Sequence, residues 1–268
     1  MKKNKRVAAL LDELVNNPNK MYDSRHFCDK FDIAKSSLSE DIKMVNEILD
    51  ESGRGHIESS TGVGGGIKYI PGISSSGIKE LQSELCEALS DSSRILGGGF
   101  LYTSDIMFNG HFVHDMARAF AQKFSSIDAD YVVTVETKGI ALAAQVGFLL
   151  NLPVVVIRRE AKYSEGSTVS INYFSGSHDS IQRMSISKRA VKAKSKAIII
   201  DDFMRGGGSI KGIEEILSEF DIEAVAVGVA LVAKEPLKKK VAEYTSIITV
   251  EDIDEYNKSI KLSASEVL

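Results

Sequence analysis

AIIIDDFMRGGGSIKGIEEIL, residues 197–217, runs from continuous apolar residues through two acids and three glycines into a stretch of helical periodicity. Ala197 to Ile200 reads as a buried strand, because unbroken β-branched runs suit a sheet covered on both faces. A helix is expected to open near Ser209. The backbone N–H groups of Gly206, Gly207, Gly208 and Ser209 would then converge at a helix N-terminus, where unpaired amides and the helix dipole hold anions. The Ser209 hydroxyl adds a donor. Asp201 and Asp202, just before the loop, can accept from sugar hydroxyls or bind a magnesium ion. Phosphate and diol recognition therefore fall within one short segment. It is not the P-loop of nucleoside triphosphatases, since GxxxxGK[ST] is absent. A purely structural reading has the acids cap the helix and the glycines make the turn. Three consecutive glycines are costly in backbone entropy, which weighs against it.

Four further runs share the character of residues 197–200: YVVTVE (131–136), PVVVIR (153–158), AVAVGVALV (224–232) and SIITVE (246–251). Alternating with helical stretches, they predict an α/β domain built on a parallel sheet. Upstream, Pro71-Gly72-Ile73-Ser74-Ser75-Ser76-Gly77 has the composition of a flexible linker. It divides the chain into 1–73 and 74–268. The tail beyond Ser259 is polar and predicts nothing.

The N-terminal part carries Val7, Leu10, Leu11 and Leu14 on one helical stripe, ended by Asn16-Asn17-Pro18-Asn19. A second helix, Ser24 to Phe31, is expected with Ser24 as its N-cap. After Asp32-Ile33-Ala34, a third runs from about Lys35 to Asp50 with Leu38, Ile42, Val45 and Leu49 inward. Its opposite face shows Lys35, Ser36, Ser37, Ser39 and Lys43, the hydroxyls and lysines with which a helix-turn-helix reaches bases and phosphates. His56 to Ser60 and Ile67 to Ile70 read as strands around a glycine-rich tip, completing a winged-helix pattern. A three-helix unit of this size also serves protein-interaction domains. Phosphate contacts independent of sequence are expected from Lys2, Lys3, Lys5, Arg6, Arg54 and Lys68.

Composition bounds the rest. The chain has 268 residues, 43% hydrophobic and 26% charged, with net charge −4, enough apolar residues for a packed core. Residues 1–73 hold 11 Lys+Arg and 11 Asp+Glu. Cys28 and Cys86 are too few for a disulfide framework or a cysteine zinc site. The longest apolar run, Ala224 to Ala233, is short of the ~18 residues of a membrane helix. Asp12 and Glu13 interrupt the start MKKNKRVAALLDELV, which therefore does not read as a signal peptide. A soluble cytoplasmic protein is expected. His111 and His114 lack companions for a metal site and read as ordinary polar positions. Lys238-Lys239-Lys240 reads as a solvated helix face.

The 197–217 segment resembles the phosphoribosyl pyrophosphate (PRPP) motif of type I phosphoribosyltransferases, with Ser209 in place of a threonine. TVETKGIALA (134–143) resembles their pyrophosphate loop, and RREAKYSEGSTVS (158–170) the flexible loop of adenine and xanthine transferases. More narrowly, KSSLSEDI, GGGIKYIPG, ILGGGFLYTSDI, TKGIALA, EGSTVSINYFSGS and IIIDDFMRGGGSI together resemble the purine operon regulators of Gram-positive bacteria, from about residue 5 to 255. The resemblance implies a homodimeric transcription factor, repressor or activator, that binds double-stranded DNA upstream of purine genes. It implies a transferase-like domain that catalyses nothing and takes PRPP, with Mg2+, as an effector. Tyr102, Thr137, Lys138, Gly139, Lys162, Asp201, Asp202, Arg205, Gly206, Gly207, Gly208 and Ser209 are then the effector contacts. Guanine nucleotides bearing diphosphates are expected to compete at the 136–139 and 201–209 loops. The rival reading is a working purine phosphoribosyltransferase with an appended DNA domain. Two residues lean towards the sensor: Tyr173 has no acid following it until Asp179, and Arg205 stands where a small residue is usual.

Overall fold

The structure is a computed structural model that describes residues 1–60, 65–160, 166–175 and 180–267. Three helices open the chain: α1 (Lys3–Val15), α2 (Ser24–Phe31) and α3 (Lys35–Glu51). An antiparallel hairpin follows, β1 (Gly55–Ser59) and β2 (Ile67–Pro71). Leu10, Leu14, Phe27, Leu38, Val45 and Leu49 are almost wholly buried together, with Ile67 and Tyr69 of the hairpin packed against them. The winged-helix expectation thus takes shape around one small core. Two details differ from the sequence reading. Asp23, not Ser24, caps α2, its carboxylate accepting from the Arg25 N–H at 2.8 Å. The wing tip, residues 61–64, lies outside the described residues.

Residues 71–77 are not a loose linker. Pro71, Gly72 and Ile73 are buried, and the Ile73 N–H donates to Gln122 Oε1 at 2.6 Å. Ser74 caps α4 (Ser75–Leu89) by accepting from the Gly77 N–H. Composition misled here because glycine and serine are equally the residues of a tight turn into a capped helix.

The larger domain is a six-stranded sheet in the order β12-β11-β10-β9-β5-β6. Its parallel strands are β5 (Tyr131–Val135), β6 (Val154–Ile157), β9 (Lys196–Met204), β10 (Glu223–Ala233) and β11 (Thr245–Asp254). The antiparallel edge is β12 (Ser259–Ala264), in the tail expected to be uninformative. An edge strand half open to water shows no apolar run to read. Helices α4, α6 (Gly110–Phe124) and α7 (Gly139–Leu150) bury Leu85, Leu89, Met116, Phe120, Leu142 and Val146 on one face. On the other face lie α8 (Gly208–Ser218) and a ribbon of β7 (Thr168–Ser175) and β8 (Ser180–Ser187). A small hairpin, β3 (Ile95–Leu96) and β4 (Phe100–Leu101), and the short α5 (Ser104–Met107) precede α6. Lys238, Lys239 and Lys240 form no helix; Lys239 Nζ donates to the carbonyls of Ala233 and Lys234. Among the described residues, no helix is long and apolar enough to cross a membrane.

The two domains are tied at defined points. The Arg118 guanidinium on α6 donates to the carbonyls of Gly72 (2.8 Å) and Gly53 (2.6 Å). Asn19, between α1 and α2, donates to the Leu149 carbonyl near the end of α7 at 2.7 Å.

Candidate functional site

In an open parallel sheet a crevice forms where consecutive strands are laid down in opposite directions, at the carboxyl ends of the strands. From β5 the chain crosses through α7 to β6 on one side, whereas β9 pairs on the other side. The switch point therefore lies between β5 and β9. A cleft of about 470 Å³ occupies it. The loop after β5 contributes Glu136, Thr137 and Lys138, the segment after β6 Arg159, and β9 with its glycine loop Asp201, Asp202 and Ser209. Phe100, Leu101 and Thr103 close the near side.

The acids and cations face each other across this cleft. Asp201 is 4% exposed, and its Oδ1 accepts the Asp202 N–H at 2.9 Å. Burial, reinforced by the neighbouring Asp202 charge, holds its carboxyl well above the usual carboxylate range. Burial also raises Asp202, opposed by its hydrogen bond with Asp201 and by Lys138. Lys138 Nζ donates to Thr103 Oγ1 at 3.2 Å. Glu136 accepts the Arg159 N–H at 2.6 Å through Oε1 and an Arg158 N–H at 3.3 Å through Oε2. The Arg159 guanidinium is steadied on Gln182 Oε1 at 2.5 Å.

Two glycines are there for geometric reasons. A Cβ on Gly139 would stand 2.6 Å from Thr134 Oγ1 and 3.1 Å from Asp201 Oδ1, so only a glycine lets the pyrophosphate-type loop lie against β9. Gly207 caps α8 with φ +82°, a left-handed backbone that L side chains rarely adopt. The first-turn amides of α8 have no partners within the helix and open towards Ser209.

Of the expected effector contacts, Thr137, Lys138, Asp201, Asp202 and Ser209 line the cleft. Gly139 and Gly206 to Gly208 form its supporting backbone. Arg205 donates to the Gly98 carbonyl at 3.4 Å, across to the β3–β4 turn. Tyr102 is 45% exposed beside the lining rather than part of it. Lys162 lies outside the described residues. Thr103, Glu136 and Arg159 were missed. Glu136 and Arg159 stood inside the two loop motifs, but nothing in their spacing says that β5 and β6 end side by side.

On the winged helix, Lys35, Ser36, Ser39 and Lys43 are exposed on α3, and Ser37 is half-buried. Ser39 Oγ donates back to the Lys35 carbonyl at 3.0 Å. Lys2 and Lys5 are exposed at the start of α1, while Lys3 is paired with Glu40 at 3.3 Å. Arg6 is a correction. It is buried, and its guanidinium holds Asp41, itself 0% exposed, through two hydrogen bonds between α1 and α3. A charge at that helical position reads as exposed until its buried partner is seen. Lys68 pairs with Glu58 across the hairpin at 3.2 Å. Arg54 follows the far end of α3, about 25 Å of helix from Lys35, and its charge acts on Tyr69 and on His114 of α6. It faces the domain joint rather than the recognition surface.

His111 sits by Glu84 at 3.3 Å, and burial pushes His114 down. Among the described residues no group of three His, Cys, Asp or Glu could hold a metal ion.

Residues 2–71 match the family model of the bacterial purine repressor N-terminal domain, and residues 103–264 that of the phosphoribosyl transferase domain. The probable purine biosynthesis transcriptional regulator of Streptococcus pneumoniae serotype 4 is 39% identical over 268 residues, 100% of this chain and 98% of its own. The purine biosynthesis transcriptional activator of Lactococcus lactis subsp. lactis is 34% identical over 269 residues, again 100% and 98%. In fold, the adenine phosphoribosyltransferase of Giardia lamblia superposes with a TM-score of 0.56 at 16% identity, covering 65% of this chain and 98% of that one.

Proposed function

The chain belongs to the bacterial family of purine biosynthesis transcriptional regulators, and from that premise we propose that it binds DNA upstream of purine genes and takes PRPP in the cleft as a signal. The observation that carries the effector reading is that Asp201 and Asp202 line one cleft together with Lys138 and Arg159. PRPP carries a 5′-phosphate, a vicinal diol and a diphosphate. The first suits the amides of residues 206–209, the second the two carboxylates, and the third the Thr137–Gly139 loop with the two cations. Adjacent carboxylates beside a diphosphate also fit magnesium, which typically takes one or two protein carboxylates together with phosphate oxygens. When bound, that ion would be held by Asp202 and the effector and would neutralise phosphate charge.

Residues of this chain favour sensing over turnover. Tyr173 is buried at 5% exposure, its hydroxyl donating to Gln182 Oε1 at 3.0 Å, so the ribbon tyrosine serves packing. Glu136, the third carboxylate of the cleft, already accepts from Arg158 and Arg159. Ligand must then act by binding one state of the protein better than another, which changes DNA affinity by the same factor as DNA changes ligand affinity. Guanine nucleotides bearing a diphosphate would compete for the same loops. A cytoplasmic homodimer reading paired half-sites completes the proposal.

The test titrates the protein against a duplex from upstream of a purine gene, with and without Mg2+ and PRPP at one fixed salt, while assaying purine bases plus PRPP for pyrophosphate release. DNA binding that PRPP alters without turnover is expected. Turnover without specific DNA binding overturns the reading in favour of an enzyme. For the recognition helix, Lys35→Ala and Lys43→Ala are each expected to weaken operator binding and lower its salt slope by about 1. Unchanged affinity in both variants would move the DNA contact off α3.

A further inference from the structure

Lys188, Arg189, Lys192 and Lys194 stand exposed on the connection between β8 and β9. No acidic residue occurs from 180 to 200. Among the described residues, none of these four side chains has a hydrogen bond or an ion pair. Lys196, next along, differs: Asp128 holds it at 2.9 Å and raises its pKa, which ends the patch. The net charge of −4 makes so local a concentration of unneutralised cations unexpected.

The segment is a fixed strap. The Lys188 N–H donates to the Ser167 carbonyl (2.9 Å), the Lys192 N–H to Tyr131 Oη (3.2 Å) and the Lys194 N–H to the Phe220 carbonyl (3.3 Å). Val191 inserts into the core at 8% exposure. The cationic side chains are thereby held outward on an ordered backbone, which reduces the entropy lost when they meet a partner.

Its position matters as much as its charge. Tyr131 starts β5, so the strap runs beneath the N-terminal ends of β5 and β9, the end of the sheet opposite the cleft. The winged helix docks at that same end: Asn19 holds the Leu149 carbonyl, and Asn16 to Pro18 face Leu152 and Pro153 at the start of β6. β6 pairs with β5 in register, Val132 against Val154, so strap and docking turn share one end of the sheet, the strap on its α8 face and the turn on its α7 face. Part of the winged helix's own cationic charge is spent on internal pairs. Lys3, Arg6, Lys30, Lys43 and Lys68 all face carboxylates.

We propose that the 188–194 strap is a second DNA-contacting surface, which takes backbone phosphates of the duplex flanking the site read by α3. The inference rests on the DNA-binding reading above. A duplex is the partner that the charge pattern fits: a rigid row of cations beside a recognition module meets phosphates without regard to base sequence.

The test uses the full chain with Lys188→Ala, Arg189→Ala, Lys192→Ala and Lys194→Ala combined, on two duplexes: the recognition site alone, and the same site with two helical turns of flank on each side. On the long duplex the slope of log affinity against log salt is expected to fall by about 3.6, at roughly 0.9 for each of the four phosphate contacts, with at least a tenfold loss at low salt. On the short duplex affinity stays as in the parent. PRPP binding, measured calorimetrically, is retained and reports an intact fold. A variant with arginine at 188, 192 and 194 should keep the parent slope. An unchanged slope on the long duplex, or equal loss on both duplexes, overturns the second surface. If the parent protein binds neither duplex specifically, the DNA-binding reading itself fails.

Discussion

Replacing Asp201 and Asp202 together by asparagine is expected to abolish the PRPP response of operator binding while leaving operator affinity itself unchanged. Charge-assisted hydrogen bonds from the ligand hydroxyls contribute roughly 1.5–3 kcal/mol each, so losing both acceptor charges should weaken PRPP binding at least ~100-fold. Among the described residues the winged helix makes no hydrogen bond to either acid, which is why DNA binding survives. A variant that still answers to PRPP would remove the effector-site assignment. Asp201→Asn alone carries a second expected result, of opposite sign. Because burial raises the Asp201 pKa in the folded chain, the fold favours the protonated acid. Stability is highest below the unfolded pKa and falls as pH rises from there through the folded pKa. Above both, the full cost of a buried charge is present. Asparagine is neutral throughout. Single Asp201→Asn should therefore melt above the parent at neutral pH without ligand, with the gap closing as pH falls through the raised folded pKa towards about 4. A parent that melts higher at neutral pH would mean that the acid is stabilised by partners rather than strained by burial. Affinity for PRPP should rise with pH over the same range, because ligand hydroxyls and magnesium both want the carboxylates charged.

Arg6→Ala is expected to unfold the winged helix rather than merely thin its phosphate contacts. Asp41 is 0% exposed and its carboxylate is held by the Arg6 guanidinium on both oxygens. Deleting one partner of a buried pair leaves the other charged and desolvated, whereas replacing both by apolar residues of similar volume is often neutral. For a domain of this size that corresponds to a drop in melting temperature of more than ~10 °C for the single variant. Arg6→Met with Asp41→Leu should recover most of it. The double variant should bind operator with the parent salt slope. A slope lowered by about 1 in the refolded double variant would return Arg6 to the set of phosphate contacts.

Both predictions depend on contacts that cross the chain, and the same division runs through the fold. Elements announced by local pattern are where expected: the stripe of Val7, Leu10 and Leu14, the strand at 196–204, and the turn of glycines that opens α8 at Gly208. Their periodicity and turn chemistry belong to a few consecutive residues, so no partner is needed to read them. Three readings failed where local composition is degenerate. Residues 71–73 are a buried turn and Ser74 caps α4, Lys238 to Lys240 form no helix, and the polar tail supplies β12. Gly-Ser-Pro composition serves a linker and a tight turn alike, and an edge strand has no uniform face to betray it.

Sequence alone determined the two-part architecture, the acid pair before the glycine loop, and the hydroxyl-and-lysine face of α3, because each is carried by residues adjacent along the chain. Tertiary structure alone decided that Glu136 and Arg159 join Asp201 and Asp202 in one cleft, since only the strand order brings the ends of β5, β6 and β9 together. It also decided which cations are spent on internal pairs. Arg6 and Lys3 are charges like Lys188 and Lys192 in the sequence. The difference is a carboxylate 35 or 37 residues away in one case, and open solvent in the other. A cation's availability is set by what stands opposite it, and that is a property of packing, not of spacing.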